Sequence, residues 1–215
     1  MREMLKQGRR PPSIKESRKY DVNVKGQIEA IWQPLYHIQA YPAAGQTQFT
    51  FFQQPAGQAA LTFRDTNMEA AGMLPAPKEM LVTSIELVLF TGQALSAAAA
   101  IDGNLNDIIA VLGSDAANDT GGWLEFFIGS KTYLRDAPLM KFPPSFRLGG
   151  YADHGTGAFS STYSTGAGKL YEITPVKLVA NQNFNVTVNF PVATAIVVAG
   201  NIGVILNGFQ YRLSQ

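Results

Sequence analysis

The chain of 215 residues is 46% hydrophobic but only 15% charged, with 17 Lys and Arg against 16 Asp and Glu. It can bury the core of one large β domain or two small ones, yet its charge falls well below the roughly 25% usual for soluble domains, which implies a surface largely covered by other subunits, with Gln, Asn, Ser and Thr where Lys and Glu would stand. The absence of cysteine excludes disulfides, thiolate nucleophiles and Cys-ligated zinc; the longest apolar stretch, Val192 to Val198, is too short to span a bilayer, and no apolar run follows the basic N-terminus, so no secretory signal is expected.

Residues 1–26 read as a flexible basic arm and 27–215 as the body. Within residues 1–25 lie Arg2, Lys6, Arg9, Arg10, Lys15, Arg18, Lys19 and Lys25 against Glu3, Glu16 and Asp21, a net +5 that leaves −4 for residues 26–215. Pro11-Pro12 breaks any helix there, and few of these residues suit a core. Such a layout fits a body that builds a surface and an arm that meets a polyanion.

The body reads as strands separated by turns. Thr47 to Gln53 is the first, ended by Pro55-Ala56-Gly57. Ala60 to Arg64 sets Leu61 and Phe63 on one face. Met80 to Thr91 places Leu81, Thr83, Ile85, Leu87 and Leu89 on one side at period two. Asp102 to Leu112 is the one helical pattern, with Leu105, Ile108, Ile109 and Leu112 on one face, Asp102 as its N-cap and Gly113 as its stop. Trp123 to Ile128 and a return strand from Thr132, ended by Pro138, flank Gly129-Ser130. Phe142 to Gly168 has almost no regular pattern and reads as a tower, lid or interface loop. Tyr171 to Val179 and Asn183 to Phe190 read as a pair joined at Ala180-Asn181-Gln182. In the second, Phe184, Val186, Val188 and Phe190 face one way and Asn183, Asn185, Thr187 and Asn189 the other. Gly203 to Leu213 is the last strand, with a bulge at Gly208. One short helix among seven to nine strands indicates an all-β sandwich or barrel.

No motif for chemistry stands out. His37 lies in the apolar run Pro34 to Ile38 and reads as a structural histidine; His154 follows Asp153 in the Gly-rich loop. G-x-S-x-G, H-E-x-x-H and phosphate-cradling loops are absent. Asp102 to Asp107 lacks the glycine and the distal glutamate of a calcium loop. No catalytic residue, metal site or cofactor is expected, and the chain is read as a non-enzyme.

Several segments resemble the single jelly-roll capsid proteins of tailless icosahedral viruses, bacteriophages in particular: Thr62 to Glu69, Leu74-Pro75-Ala76-Pro77 leading into Met80 to Phe90, Phe127 to Leu134, Phe142-Pro143-Pro144, Asn181 to Pro191, and Gly208-Phe209-Gln210-Tyr211-Arg212. The resemblance covers about residues 45–213 and implies one jelly-roll sandwich of about eight strands. It further implies a structural virion protein, made in the host cytoplasm, whose copies self-assemble into an icosahedral shell around the viral genome beside other virion proteins. The eight basic arm residues would contact nucleic acid without reading its sequence, or neighbouring subunits, or an internal membrane. The alternative is a carbohydrate-binding or adhesive β-sandwich, a spike, decoration or receptor-binding module, in which Tyr151, Phe159, Tyr163 and Tyr171 of the long loop stack on sugars; the same aromatics equally suit a subunit contact.

Overall fold

The computed structural model describes residues 28–90, 92, 107, 111, 121–142, 150–153, 160–163 and 171–213. The fold is all-β: two antiparallel sheets in a sandwich-like arrangement, joined by an apolar core. Among the described residues eleven strands run in chain order as β1 (Ile28–Trp32), β2 (Leu35–Tyr41), β3 (Gln48–Phe51), β4 (Glu79–Phe90), β5 (Trp123–Ile128), β6 (Lys131–Pro138), β7 (Gly150–Asp153), β8 (Ser160–Tyr163), β9 (Tyr171–Leu178), β10 (Phe184–Asn189) and β11 (Gly200–Leu213). One sheet has the order β1-β11-β4-β9, with β2 also paired to β11; the other has the order β3-β10-β5-β6; β7 and β8 form a separate hairpin.

Strand chemistry explains the layering. In β10 the alternation holds throughout: Phe184, Val186 and Val188 enter the core, and Asn185, Thr187 and Asn189 face away. Phe126 and Leu124 of β5 and Phe49 and Phe51 of β3 meet them from the same sheet. The opposing sheet contributes Ile85 and Leu87 of β4 and Ile202, Val204 and Leu206 of β11. At one end Tyr41 stacks on Phe49 at 5.1 Å, both rings meet Phe190 edge-on, and the Tyr41 hydroxyl donates to the Thr194 carbonyl at 2.7 Å. A buried Tyr that pairs its hydroxyl keeps its apolar area without an orphaned polar atom.

β4 departs from simple period two. The pairing of β4 with β11 shifts between Asn207 and Gly208, so that Asn207 faces Ser84, Gly208 faces Val82, and Thr83 is the extra residue. The core face of β4 therefore runs Met80, Val82, then Ile85 and Leu87. Leu81 points to the other side, where it packs with Phe209 and Tyr211 against Ile28 and Ala30 in a second cluster. The irregularity expected at Gly208 is present, with its extra residue on the partner strand.

Other expectations need correction. Residues 59–65 form turns rather than a strand, because bonds from Leu61 N–H to Gln58 and from Asp65 N–H to Thr62 close them locally. The expected pair of 171–179 and 183–190 is split between sheets: β9 joins β4, β10 joins β3 and β5, and the turn between them, with Asn181 at φ 59°, carries the chain across the sandwich. The segment 142–168 holds the β7–β8 hairpin, with Tyr151 opposite Thr162. β1 and β2 were not anticipated; Pro34, between them, interrupts what would read as one strand. Of the expected helix 102–112, only Asp107 and Val111 lie among the described residues; both are helical and buried. The arm, residues 1–26, lies outside them.

A Cβ at Gly208 would fall inside the van der Waals envelope of the Leu81 carbonyl oxygen. Gly208→Ala is therefore expected to cost about 3 kcal/mol, read as a lowered urea midpoint at unchanged slope. A variant as stable as the parent would show that the two strands part there at no cost.

Candidate functional site

Several charged side chains of the body are engaged by ion pairs or hydrogen bonds. Lys78 pairs with Glu69, Lys177 with the buried Glu79 at 3.3 Å, and Arg212 with Glu29 at 2.9 Å. Glu86, also buried, accepts from the Asn207 amide, and both oxygens of Asp107 accept from the Val197 N–H at 3.2 Å. Among the described residues no group of three or more His, Cys, Asp and Glu is placed to hold a metal ion.

His37 is 3% exposed and its Nδ1 accepts the Phe52 backbone N–H at 2.8 Å. Burial lowers its pKa to about 4, against an opposing pull from Asp65. A neutral imidazole used as a backbone acceptor between two phenylalanines has a structural task in this conformation. His154 lies outside the described residues.

The surface offers contact features instead. The first is a turn at 62–65. The Asp65 carboxylate accepts from the Thr62 N–H at 2.9 Å and the Thr62 hydroxyl at 2.8 Å, which holds its pKa below the usual range. The Arg64 N–H donates to the Thr62 hydroxyl, and the Tyr36 hydroxyl donates to the Phe63 carbonyl. On this braced turn the Phe63 ring stands 76% exposed. Holding an aromatic ring in water on ordered backbone forgoes the gain of burying it; the arrangement suits a ring that a partner covers, with the ordering cost already met. A second apolar region is the β10–β11 connection, where Val192, Val197 and Val198 are exposed while Thr194 and Ile196 are buried.

The second feature is the outer face of the four-stranded sheet. Asn189 accepts from the Gln48 amide at 2.9 Å and donates to Glu125 at 3.1 Å and to the Thr187 hydroxyl at 3.3 Å. These bonds tie β3, β10 and β5 into one polar row, flanked by the half-buried Trp123, which lies opposite Asn189. The alternating asparagines of β10 signalled such a face in the sequence; nothing there announced the exposed Phe63, because exposure depends on what packs nearby.

The residues singled out from sequence fall as follows. Arg2, Lys6, Arg9, Arg10, Lys15, Arg18, Lys19 and Lys25 lie outside the described residues, as does Phe159. Tyr151 and Tyr163 lie on the two strands of the β7–β8 hairpin, with Gly150 opposite Tyr163. Tyr171 opens β9 and meets Phe142 edge-on at 4.7 Å, against the main core. No family model, curated protein or solved structure matches the chain.

Asn189→Ala is expected to lower stability by about 1–2 kcal/mol, since it strips partners from Gln48, Glu125 and Thr187 together. Chemical denaturation of the variant beside Gln48→Ala checks this: a loss no larger than that of Gln48→Ala would remove the hub role from Asn189.

Proposed function

We propose that the chain is a structural virion protein, a single jelly-roll capsid subunit that self-assembles into a closed shell around a viral genome. The observation that carries the reading is the strand order. If β1 and β2 count as one interrupted strand, since both pair with β11, the sheets read β2-β11-β4-β9 and β3-β10-β5-β6. Successive strands of the chain then cross between sheets at β2 to β3, β3 to β4, β4 to β5, β6 to β9, β9 to β10 and β10 to β11, a winding that supports the reading of an eight-stranded jelly roll.

A fold does not name a function, and three further features favour a shell subunit. The chain has too few charges for a well-solvated lone domain. One edge of each sheet is blunted: β9 carries Pro175, and β6 carries Lys131, Arg135 and Pro138 with Asp136 at positive φ. Blunted edges discourage strand addition, so copies would meet through loops and faces, where Phe63 and the Val192–Val198 connection supply apolar anchors. The arm, with its net +5, would neutralise nucleic-acid phosphates by counterion release, or reach neighbouring subunits, other virion proteins or an internal membrane. The reading includes no enzymatic step. The carbohydrate-binding alternative has less support at Tyr171, whose ring is engaged with Phe142.

Negative-stain electron microscopy beside light scattering at low and high salt tests the proposal. Closed shells or regular multimers are expected, with residues 1–25 dispensable for folding of the body but needed for genome retention or shell closure. A monomer at every salt concentration would remove the shell reading. Phe63→Ser is expected to keep the unfolding midpoint within about 0.5 kcal/mol and to weaken association at least tenfold; unchanged assembly would take the anchor role from Phe63.

A further inference from the structure

The connection from β3 to β4 begins at Phe52, a non-glycine residue at φ 68°. Left-handed backbone at a bulky residue persists only where its surroundings hold it. Here the Phe52 N–H is bound by His37 Nδ1 at 2.8 Å, and the Phe52 carbonyl accepts from the Gly72 N–H at 2.8 Å. The same connection returns to β2 one strand-width away. Ile38 N–H donates to the Asp65 carbonyl at 2.6 Å, Tyr36 N–H to the Asn67 side chain at 2.9 Å, and the Thr66 hydroxyl to the Tyr36 carbonyl at 3.0 Å. Residues 52–72 are thus fastened to β2 in two places, the second including the Tyr36 hydroxyl, which donates to the Phe63 carbonyl; at the first, the bond requires that His37 Nδ1 carry no proton.

We propose that His37 is an acid-sensitive latch: a proton taken up at Nδ1 abolishes the bond from Phe52 and releases the 52–72 loop from β2. Imidazolium carries N–H on both nitrogens, so Nδ1–H would face the Phe52 N–H, donor against donor. The charge would also lie between the Phe51 and Phe52 rings, whose centroids are 6.0 and 6.1 Å away, edge-on. The neighbours offer little compensation. β11 presents Val204 opposite His37, β3 presents Phe51, and β2 itself carries Tyr36. The 62–67 segment presents Asp65, engaged with Thr62, with Arg64 beside it. Asp65 favours the proton, and burial outweighs it.

The direction with pH follows from linkage. His37 is held near 4 in place and returns toward about 6.5 when exposed, so the exposed state binds more protons below 6.5. The latch is fully closed above that value, loosens by about tenfold for each pH unit below it, and levels off below about 4. At about pH 5 the open fraction is about 20-fold that at pH 7. The loop carries Phe63, so its release would also displace that ring; this coupling to assembly rests on the shell reading, and the latch does not.

Hydrogen exchange of the full chain, read by mass spectrometry at about pH 7 and pH 5 and corrected for intrinsic rates, tests the latch. Peptides within 52–72 are expected to lose protection about 20-fold while β4 and β11 keep theirs, and His37→Gln, which does not titrate, is expected to remove the pH dependence. Equal losses in both proteins, or none in the parent, would overturn the proposal. If His37→Gln does not fold, the ring protons of His37 in the parent decide by NMR: a midpoint shifted well below 6.5 that tracks the 52–72 amides supports the latch, and an ordinary midpoint refutes it. An unchanged exchange profile alongside intact assembly would sink the latch and leave the shell reading standing.

Discussion

β11 organises the molecule. It is the only strand among those described that pairs with three others, β1, β2 and β4, and its two faces serve different clusters. Ile202, Val204 and Leu206 enter the sandwich; Phe209 and Tyr211 enter the second cluster on the outer side. β4 can follow it along both lengths only by inserting Thr83, and the strands close over that residue only where β11 has no Cβ. The Thr83 hydroxyl donates to the Asn207 carbonyl at 3.3 Å beside the bulge. Removing that close approach would disturb both clusters, since Leu81 and Val82 belong to different ones.

Polar groups in this body are used inward. Glu79, Glu86 and Asp107 are buried, and each is met by a cation, an amide or a backbone N–H. Such groups are costly when orphaned and tolerable when paired, which is how a chain with so few charges spends several of them inside. The exposed surface keeps a few charged side chains, Arg135 and Asp136 among them, beside uncharged polar and apolar ones. Phe63 is the extreme case, and its turn is braced by Thr62, Asp65 and Tyr36. A braced turn loses little entropy when a partner covers it.

Local patterning was legible wherever a strand keeps one register. β10 behaves as its alternation indicates, and the β5–β6 hairpin turns at Gly129 with φ 58° as a glycine turn should. The pattern misled where an inserted residue changes parity: Leu81 and Ile85 share odd numbering but lie on opposite faces of β4. It also misled for β9 and β10, adjacent in sequence and joined by a short turn, because hairpin and sheet-crossing turns differ in backbone direction rather than composition. The contact features were partly legible: the asparagine row of β10 could be read, while Tyr171, singled out as a loop aromatic, packs on Phe142 at the core.

The amino-acid sequence by itself determined the all-β class, the apolar faces of most strands, the basic arm and the scarcity of charge, because these follow from composition and period-two spacing along the chain. Tertiary structure alone decided which strands share a sheet, where β4 changes face, that His37 would meet the Phe52 N–H and that Phe63 would stand in solvent. Each of these depends on groups distant in sequence or on the space left after packing, and local spacing carries no record of either.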